Sequence, residues 1–413
     1  MRKTELLVPA GSLEVLKIAV IYGADAVYIG GEVFGLRAKA KNFSLEDMKE
    51  GIEFAHAHNV KVYVTANILA HNYDLDGVRE YFNELKDVRP DALIISDPGI
   101  FTIAREMLPD MEIHISTQAN NTNYGTYNFW YKLGAKRVVT ARELSLAEIK
   151  EIRENIPDDM EIETFIHGAM CISYSGRCLL SNFMVGRDAN RGECTHPCRW
   201  KYSLMEEKRP GEYFPVYENE RGTYIFNSKD LCMIEHLPDL IEAGIDSFKI
   251  EGRMKTALYV ATVARTYRKA IDDYMESPDK YKENMPWYLD QISDCTYRQF
   301  TTGFFYNKPS EDAQIYTSNT YLRDYTFLGI VGDTDENGLY RIEQKNKFSV
   351  GEVIEVMKPS GDNIEVTVKR IVNDDGEDME SCPHPLQSLH IDLGMSLEKY
   401  DVLRRKEDDR LEE

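Results

Sequence analysis

Five cysteines fall close together near the middle of the sequence. Cys171, Cys178, Cys194 and Cys198 lie within 28 residues, and Cys232 follows them. Clustered thiolates suit soft metals, which in proteins means zinc or an iron–sulfur cluster. The spacing lacks the paired C-x2-C knuckles of a zinc ribbon, so it favours an iron–sulfur cluster assembled from loops, with zinc as the alternative. Buried cysteines that bind nothing are the remaining interpretation.

The segment around these cysteines is basic in an otherwise acidic chain. Residues 171–201 contain five basic and two acidic residues, whereas the whole chain has 49 basic against 70 acidic residues and a net charge of −21. Arginine side chains bind carboxylates and phosphates through paired N–H groups. Arg187 and Arg191 are therefore candidate ligands of an anionic substrate, with a solvated loop as the alternative. The acidic total argues against a broad nucleic-acid-binding surface but leaves a local site open.

The elements that position these residues follow a regular pattern. Eight short apolar runs alternate with helical segments over the first 255 residues, which predicts parallel strands buried on both faces. Eight βα units fit a closed (β/α)8 TIM-like barrel, and a doubly wound open sheet is the alternative. The predicted strands are Leu6–Ala10, Ala26–Gly30, Lys61–Ala66, Ala92–Ser96, Glu112–Ser116, Arg137–Thr140, Glu161–Ile166 and Ser247–Ile250.

The pattern divides the chain into three parts. Residues 1–275 form the predicted α/β barrel, with a Cys-rich insertion at about 171–232 after the seventh strand. Residues 276–325 are predicted to be a linker and connecting segment. Residues 326–413 show short alternating strands and turns, which predict a small antiparallel β-barrel. Helices are predicted at 45–57, 75–88, 234–243 and 257–275.

In a (β/α)8 barrel the carboxyl ends of the strands carry the active site. Glu163 and His167 share one face of the seventh predicted strand, because side chains alternate along a strand. Either residue is a candidate acid or base, and the alternative for Glu163 is an ion pair with a basic neighbour inside the barrel.

The longest motif in the sequence runs from Glu163 to Ser181 and reads ETFIHGAMCISYSGRCLLS. This segment resembles the signature of peptidase family U32, the collagenase-like proteases. The resemblance extends over nearly the whole chain, and the segment from 326 is similar to that family's elongation-factor-like C-terminal barrel. Further matching motifs are Leu7–Gly11, Ser116–Gln118, Asn190–Arg199, Asn227–Cys232, Lys249–Lys255 and Arg298–Phe304.

The resemblance implies a more specific function than the family name does. It is greatest to the branch of 4Fe–4S proteins that hydroxylate tRNA without oxygen, forming 5-hydroxyuridine at the wobble position with prephenate as donor. It implies that Cys171, Cys178, Cys194 and Cys232 hold the cluster, with Cys198 in reserve.

The same resemblance suggests how the barrel residues would bind substrates. Arg37, Lys249 and Arg253 would orient the carboxylates of prephenate, although Lys249 and Glu251 could instead neutralise each other. Gln118, which ends a strand as Asn67 does, would read the edge of the uracil or cap the next helix.

Two other functions stay open. One is a collagenase-like peptidase, for which the chain has neither a G-x-S-x-G nor an H-E-x-x-H motif. The other is a cluster-bearing assembly subunit that catalyses nothing alone. The expected partners are tRNA, an electron donor that the sequence does not identify, and further subunits in a homo- or hetero-oligomer. Neither a signal peptide nor an apolar run of ~18 residues stands out, which predicts a cytoplasmic protein without a membrane span.

Overall fold

The computed structural model describes most of the chain. The described residues are 4–31, 43–170, 174, 178–187, 189, 194–195, 197, 203–204, 214–215, 229–294, 299–307, 325–384 and 386–407.

Eight parallel strands close into a barrel. Neighbouring strands pair in chain order from β1 to β7, and β11 closes the cylinder by pairing with both β7 and β1. At the closure Ser247 lies opposite Glu5 on one side and Glu163 on the other. The predicted TIM-like barrel is therefore confirmed. Its strands are β1 (Glu5–Pro9), β2 (Ala26–Gly30), β3 (Lys61–Ala66), β4 (Ala92–Ile95), β5 (Glu112–Ile115), β6 (Arg137–Val139), β7 (Glu161–Gly168) and β11 (Ser247–Ile250).

Amphipathic helices connect these strands. In α3 the buried residues recur every three or four positions, as Val78, Tyr81, Phe82 and Leu85 do, so one face of the helix packs on the barrel. Capping residues fix where helices begin: Ser145 and Glu148 form a reciprocal capping box on α6. The helices that follow β1 to β6 are α1 (Leu13–Ile21), α2 (Leu45–Ala57), α3 (Leu75–Val88), α4 (Pro98–Met107), α5 (Tyr124–Lys132) and α6 (Leu146–Glu154).

The insertion after β7 returns to the strand it left. Its last strand runs antiparallel to the end of β7, with Leu231 opposite Gly168 and Cys232 opposite His167. A short strand from later in the chain, β12 (Phe300–Thr301), pairs with it on the other side. The described elements of this region are α7 (Leu180–Val185), β8 (Ser203–Leu204), β9 (Phe214–Pro215), β10 (Asp230–Cys232) and α8 (Leu237–Glu242).

The chain forms two compact units. One is drawn from Met1–Val20, Ala24–Lys255 and Arg298–Thr320, and the other from Ile21–Gly23, Thr256–Tyr297 and Tyr321–Glu413. Within the described residues, no helix is both long and apolar enough to cross a bilayer.

The start of the segment predicted to be a linker is helical instead. After α9 (Ala257–Glu276), helices α10 (Pro278–Glu283) and α11 (Met285–Ser293) pack against α9 in the second unit. Tyr281 and Tyr288 are buried, and Tyr288 donates a 2.6 Å hydrogen bond to Asp273 of α9. The polar composition of 276–284 does not predict α10, because Tyr281 is the one buried residue of this helix and no apolar periodicity results.

The rest of the second unit is an antiparallel sheet of eight strands in the order β16-β15-β20-β13-β14-β19-β17-β18. The predicted antiparallel fold is confirmed as a half-barrel, since no described pairing joins the edge strands β16 and β18. The sequence of residues 364–372 (IEVTVKRIV) predicts one strand, but the segment forms two, because β16 pairs with β15 whereas β17 pairs with β19. The strands are β13 (Tyr325–Thr334), β14 (Tyr340–Gln344), β15 (Val353–Met357), β16 (Ile364–Thr367), β17 (Arg370–Asn373), β18 (Asp378–Met379), β19 (Ser388–Asp392) and β20 (Val402–Lys406).

Candidate active site at the carboxyl ends of the barrel strands

A network of ion pairs fills the interior of the barrel. Glu163, whose side chain is 0% exposed, accepts a 2.6 Å hydrogen bond from Lys249 Nζ and a 3.1 Å hydrogen bond from Arg137 Nη1. Arg137 also donates to Glu5 at 2.6 Å, and Tyr63 donates its hydroxyl proton to the same carboxylate at 2.6 Å. These groups come from β1, β3, β6, β7 and β11, so the charges neutralise one another across the cylinder.

The network keeps Glu163 ionised. Burial alone would raise the pKa of Glu163, but the charges of Lys249 and Arg137 outweigh burial and lower that pKa. A carboxylate held in two ion pairs positions its cationic partners and has no proton to donate. The predicted alternative, an ion pair between Glu163 and basic neighbours in the barrel, is therefore the arrangement that the structure has. The acid role predicted for Glu163 has no support in this geometry, and its role as a base stays a prediction.

Lys249 lies on the inner face of the barrel between aromatic rings. Its Nζ atom is 4.4 Å from the centre of the Tyr28 ring and 5.4 Å from the centre of the Phe165 ring. Lys249 makes its ion pair with Glu163, while Glu251, whose charge also acts on Lys249, pairs with Arg142 at 2.8 Å. The Arg142 guanidinium in turn lies 4.0 Å from the centre of the Phe165 ring. Sequence reasoning missed Arg142, although its place just after β6 marked it as a rim residue.

Arg253 lies at the carboxyl end of β11 and is 7% exposed. Its Nη1 atom donates a 3.1 Å hydrogen bond to Thr65 Oγ1 at the end of β3. Two glycines make room for it: a Cβ atom on Gly30 would collide with the guanidinium, and a Cβ atom on Gly11 would collide with the backbone oxygen of Arg253. The glycine motifs after β1 and β2 therefore serve the position of Arg253.

His167 lies near the end of β7 and is 1% exposed. Burial, together with the charge of Lys255, lowers its pKa to about 3, so the imidazole is neutral near pH 7. Its ring centre lies 5.8 Å from that of Phe300, and its backbone carbonyl accepts a hydrogen bond from Glu251 N. A neutral imidazole at this rim can accept a hydrogen bond or a proton but is a weak base.

Gln118 and Asn67 follow β5 and β3 on the same rim. Asn67 Nδ2 donates a 3.3 Å hydrogen bond to Ser116 Oγ, which also accepts from the backbone nitrogen of Gln118 at 3.4 Å. The predicted alternative, in which these amides cap the next helices, is wrong: α5 is capped by Asn123, and the 3-10 helix that leads into α3 has His71 at its N-cap position.

Three of the predicted cluster ligands lie among the described residues. Cys178 and Cys194 are half-buried, and their segments are joined because Ser181 Oγ accepts a 3.1 Å hydrogen bond from Thr195 N. Cys232 is half-buried beside His167 at the end of β7. No group of three or more Cys, His, Asp or Glu side chains is placed to hold a metal ion in the described part of the chain.

Of the remaining predicted site residues, the structure describes Arg187. Arg187 follows α7 and is exposed. Cys171, Cys198, Arg37 and Arg191 lie outside the described residues.

The comparisons with known proteins agree on the family. The model of peptidase family U32 matches residues 11–315, and the model of that family's C-terminal domain matches residues 323–404. The chain is 42% identical over 405 residues to a tRNA hydroxylation protein of Bacillus subtilis, which covers 98% of this chain and 95% of the relative.

Two relatives in Escherichia coli extend this similarity. A tRNA hydroxylation protein is 40% identical over 446 residues, covering 98% of this chain and 97% of the relative. A 23S rRNA 5-hydroxycytidine synthase is 33% identical over 379 residues, covering 91% of this chain and 52% of the relative. The resemblance that the motifs predict is thereby confirmed, and the chain belongs to peptidase family U32, whose C-terminal domain it also carries.

Proposed function

We propose that this chain is an enzyme of tRNA hydroxylation in the cytoplasm. It forms 5-hydroxyuridine at the wobble position, with prephenate as the donor and a 4Fe–4S cluster as its redox centre. One observation carries the proposal: at 42% and 40% identity, two proteins named for tRNA hydroxylation align with 98% of the chain. The relative named for 5-hydroxycytidine in rRNA is also named for a hydroxylated pyrimidine, which supports the same reaction class.

The rim of the barrel supports an anionic donor. Arg253 is positioned by Thr65 and by the two glycines beneath it, and guanidinium groups bind carboxylates through paired N–H groups. Lys249 places a second cation inside the barrel, 5.4 Å from the centre of the Phe165 ring. Glu163 holds that cation in place, so that its buried charge is compensated before substrate enters.

The cysteines fit the proposed cluster in their chemistry. Thiolates are the usual ligands of iron–sulfur clusters, and the Ser181–Thr195 hydrogen bond joins the segments that carry Cys178 and Cys194. Cys171 and Cys232 would complete the set, with Cys198 in reserve and zinc as the alternative metal. When bound, the cluster would supply electron transfer next to the barrel mouth.

Gene deletion and complementation test the proposed reaction. The tRNA of a deletion strain should lack wobble 5-hydroxyuridine, as measured by mass spectrometry of its nucleosides, and the wild-type gene should restore it. Unchanged 5-hydroxyuridine in the deletion strain would contradict the proposal. If the deletion strain loses 5-hydroxyuridine but the purified, cluster-loaded protein cannot form it from tRNA and prephenate, the assembly-subunit alternative is favoured. Cleavage of peptides by the same preparation would favour the peptidase.

Single Cys→Ser variants test the cluster. Anaerobic purification should give a brown protein with about four irons per chain. Cys178→Ser and Cys194→Ser should lose iron, and the comparison of Cys232→Ser with Cys198→Ser decides the fourth ligand. Cys382→Ser is the matched control, because Cys382 lies in the core of the second unit. Stoichiometric zinc without visible absorption would contradict the iron–sulfur assignment.

A further inference from the structure

Several buried carboxamides on one side of the barrel rim have hydrogen-bonding atoms without partners. Gln118 is 1% exposed, yet neither its Nε2 nor its Oε1 atom has a hydrogen-bond partner in the described structure. Asn67 Oδ1, Asn120 Oδ1 and Asn121 Nδ2 are also buried without partners. We refer to these four residues as the amide cluster.

Hydrogen bonds link three members of the amide cluster, and the fourth, Asn121, directly follows Asn120 in the chain. Ser116 Oγ accepts hydrogen bonds from the Asn67 amide and from the backbone nitrogen of Gln118. Asn120 Nδ2 donates a 2.7 Å hydrogen bond to the backbone carbonyl oxygen of Gln118. Asn121 Oδ1 accepts a 3.0 Å hydrogen bond from Trp130 Nε1. All four residues follow the carboxyl ends of β3 and β5, where barrels of this kind bind their substrates.

Such groups are costly unless something satisfies them. Each buried donor or acceptor without a partner costs about 1–3 kcal/mol in general, and native proteins have few of them. Gln118 presents one donor and one acceptor whichever way its amide is turned, so the conclusion does not depend on the assignment of its oxygen and nitrogen. The arrangement is that of a site whose hydrogen-bonding partner is a ligand.

The chemistry of the amide cluster selects a neutral ligand. Its open groups mix donors with acceptors, and neighbouring hydrogen bonds involve the uncharged side chains of Ser96, Ser116 and Trp130. A carboxylate offers acceptors only and would face the oxygens of three amides. The edge of a pyrimidine base alternates donors and acceptors and can pair with one carboxamide through two hydrogen bonds.

We propose that the amide cluster, with Gln118 as its central member, binds the edge of the pyrimidine base that is hydroxylated. This inference rests on the proposed function and deepens it. The rim then has two sides: the cations at β11 take the anionic donor, and the amides after β3 and β5 take the base. An extruded base is read in this way by other enzymes that modify nucleobases.

RNA binding by the anaerobically purified full chain tests the assignment. Two anticodon stem-loops are compared, one with uridine at the wobble position and one with an abasic site there. The wild-type protein should prefer the uridine RNA by about tenfold or more. Gln118→Met, which keeps the volume of the side chain without its polar atoms, should bind both RNAs equally. The control Asn83→Ala removes an exposed amide on α3 and should keep the preference.

Stability measurements separate a ligand role from a structural one. Gln118→Met should keep or raise the thermal midpoint, since it removes two unpaired polar atoms. If its midpoint falls and the preference remains, the amide is satisfied within the protein and the inference is overturned. If Gln118→Met keeps the preference for the uridine RNA and its thermal midpoint is unchanged, the inference is overturned as well.

A second variant guards against misfolding. Gln118→Glu keeps the shape of the side chain, and its protonated form again has one donor and one acceptor. Burial raises the pKa of a carboxyl group, so the preference for uridine should be lost at alkaline pH and recover as the pH is lowered toward about 5. A preference independent of pH contradicts the inference. A wild-type protein that binds neither RNA would overturn the proposed function itself, which distinguishes the two failures.

Discussion

Glu163 shows how far a single residue can be understood from the sequence. The alternation of β7 places it on the inner face of the barrel together with Phe165 and His167. Its partners Lys249 and Arg137 are 86 and 26 positions away in the chain, and only closure of the barrel brings them within hydrogen-bonding distance. The inner position was predictable, whereas the choice between catalysis and ion pairing needed the partners.

Removal of this charge should destabilise the protein. Glu163→Gln leaves Lys249 buried without an anionic partner, which should lower the free energy of unfolding by about 3 kcal/mol or more. Glu161→Gln is the control, because Glu161 also pairs with Arg137 but is 28% exposed and should cost less than about 1 kcal/mol. Urea denaturation measures both. Equal losses in the two variants would contradict the difference in burial on which the prediction rests.

Glu5 should make the protein sensitive to acid. Burial would raise the pKa of Glu5, but Arg137 and three hydrogen bonds outweigh it and lower the pKa from 4.5 to about 2. Between these values the unfolded chain binds more protons than the folded one, so stability is present above pH 4.5 and is lost as the pH falls toward 2. Glu5→Gln should flatten this part of the curve of unfolding free energy against pH.

Urea denaturation at pH 5, 4 and 3 measures the effect of Glu5. The control Glu53→Gln replaces an exposed glutamate on α2 and should leave the slope unchanged. An equally steep slope in Glu5→Gln would show that other carboxylates dominate the loss.

At the scale of elements, local patterns predicted the barrel well. The ranges of β2, β3, β11, α2 and α3 agree with prediction at both ends, because apolar runs and capping signals are contained in each segment. The predictions fail where the structure of a segment depends on residues elsewhere in the chain. Residues 278–283 form a helix because Tyr281 packs between Tyr274 and Tyr288, and residues 364–372 divide because their two halves pair with different strands.

Alanine substitutions of the glycines at the ends of β1 and β2 should have different effects. Gly30→Ala meets the flexible end of the Arg253 side chain, so it should displace the guanidinium with little loss of stability. The apparent KM for the proposed donor, prephenate, should rise about tenfold, the equivalent of one charge-assisted hydrogen bond. Gly11→Ala meets the backbone of Arg253 instead and should lower the thermal midpoint as well.

Steady-state kinetics and thermal unfolding of both glycine variants test this contrast. An unchanged KM in Gly30→Ala would show that Arg253 does not contact the donor. A stable Gly11→Ala protein would show that the loop after β11 can move aside.

The whole molecule is acidic, and its charge affects the strength and the salt dependence of tRNA binding. The net charge of −21 disfavours a broad basic surface, so we expect few phosphates to be neutralised at once. Affinity for tRNA should therefore fall only about tenfold between 50 and 200 mM salt, which corresponds to about two neutralised phosphates. Band shifts at the two salt concentrations measure this, and a thousandfold fall would reveal an extended basic surface.

The pairing of β10 with β7 has a consequence for how the family could diversify. Leu231 lies opposite Gly168, so the excursion that carries the cysteines departs and returns at adjacent hydrogen bonds. Because this pairing already holds the two ends together, added length between them costs little in loop entropy. A change in the length of the excursion should therefore leave the pairing of β10 with β7 in place.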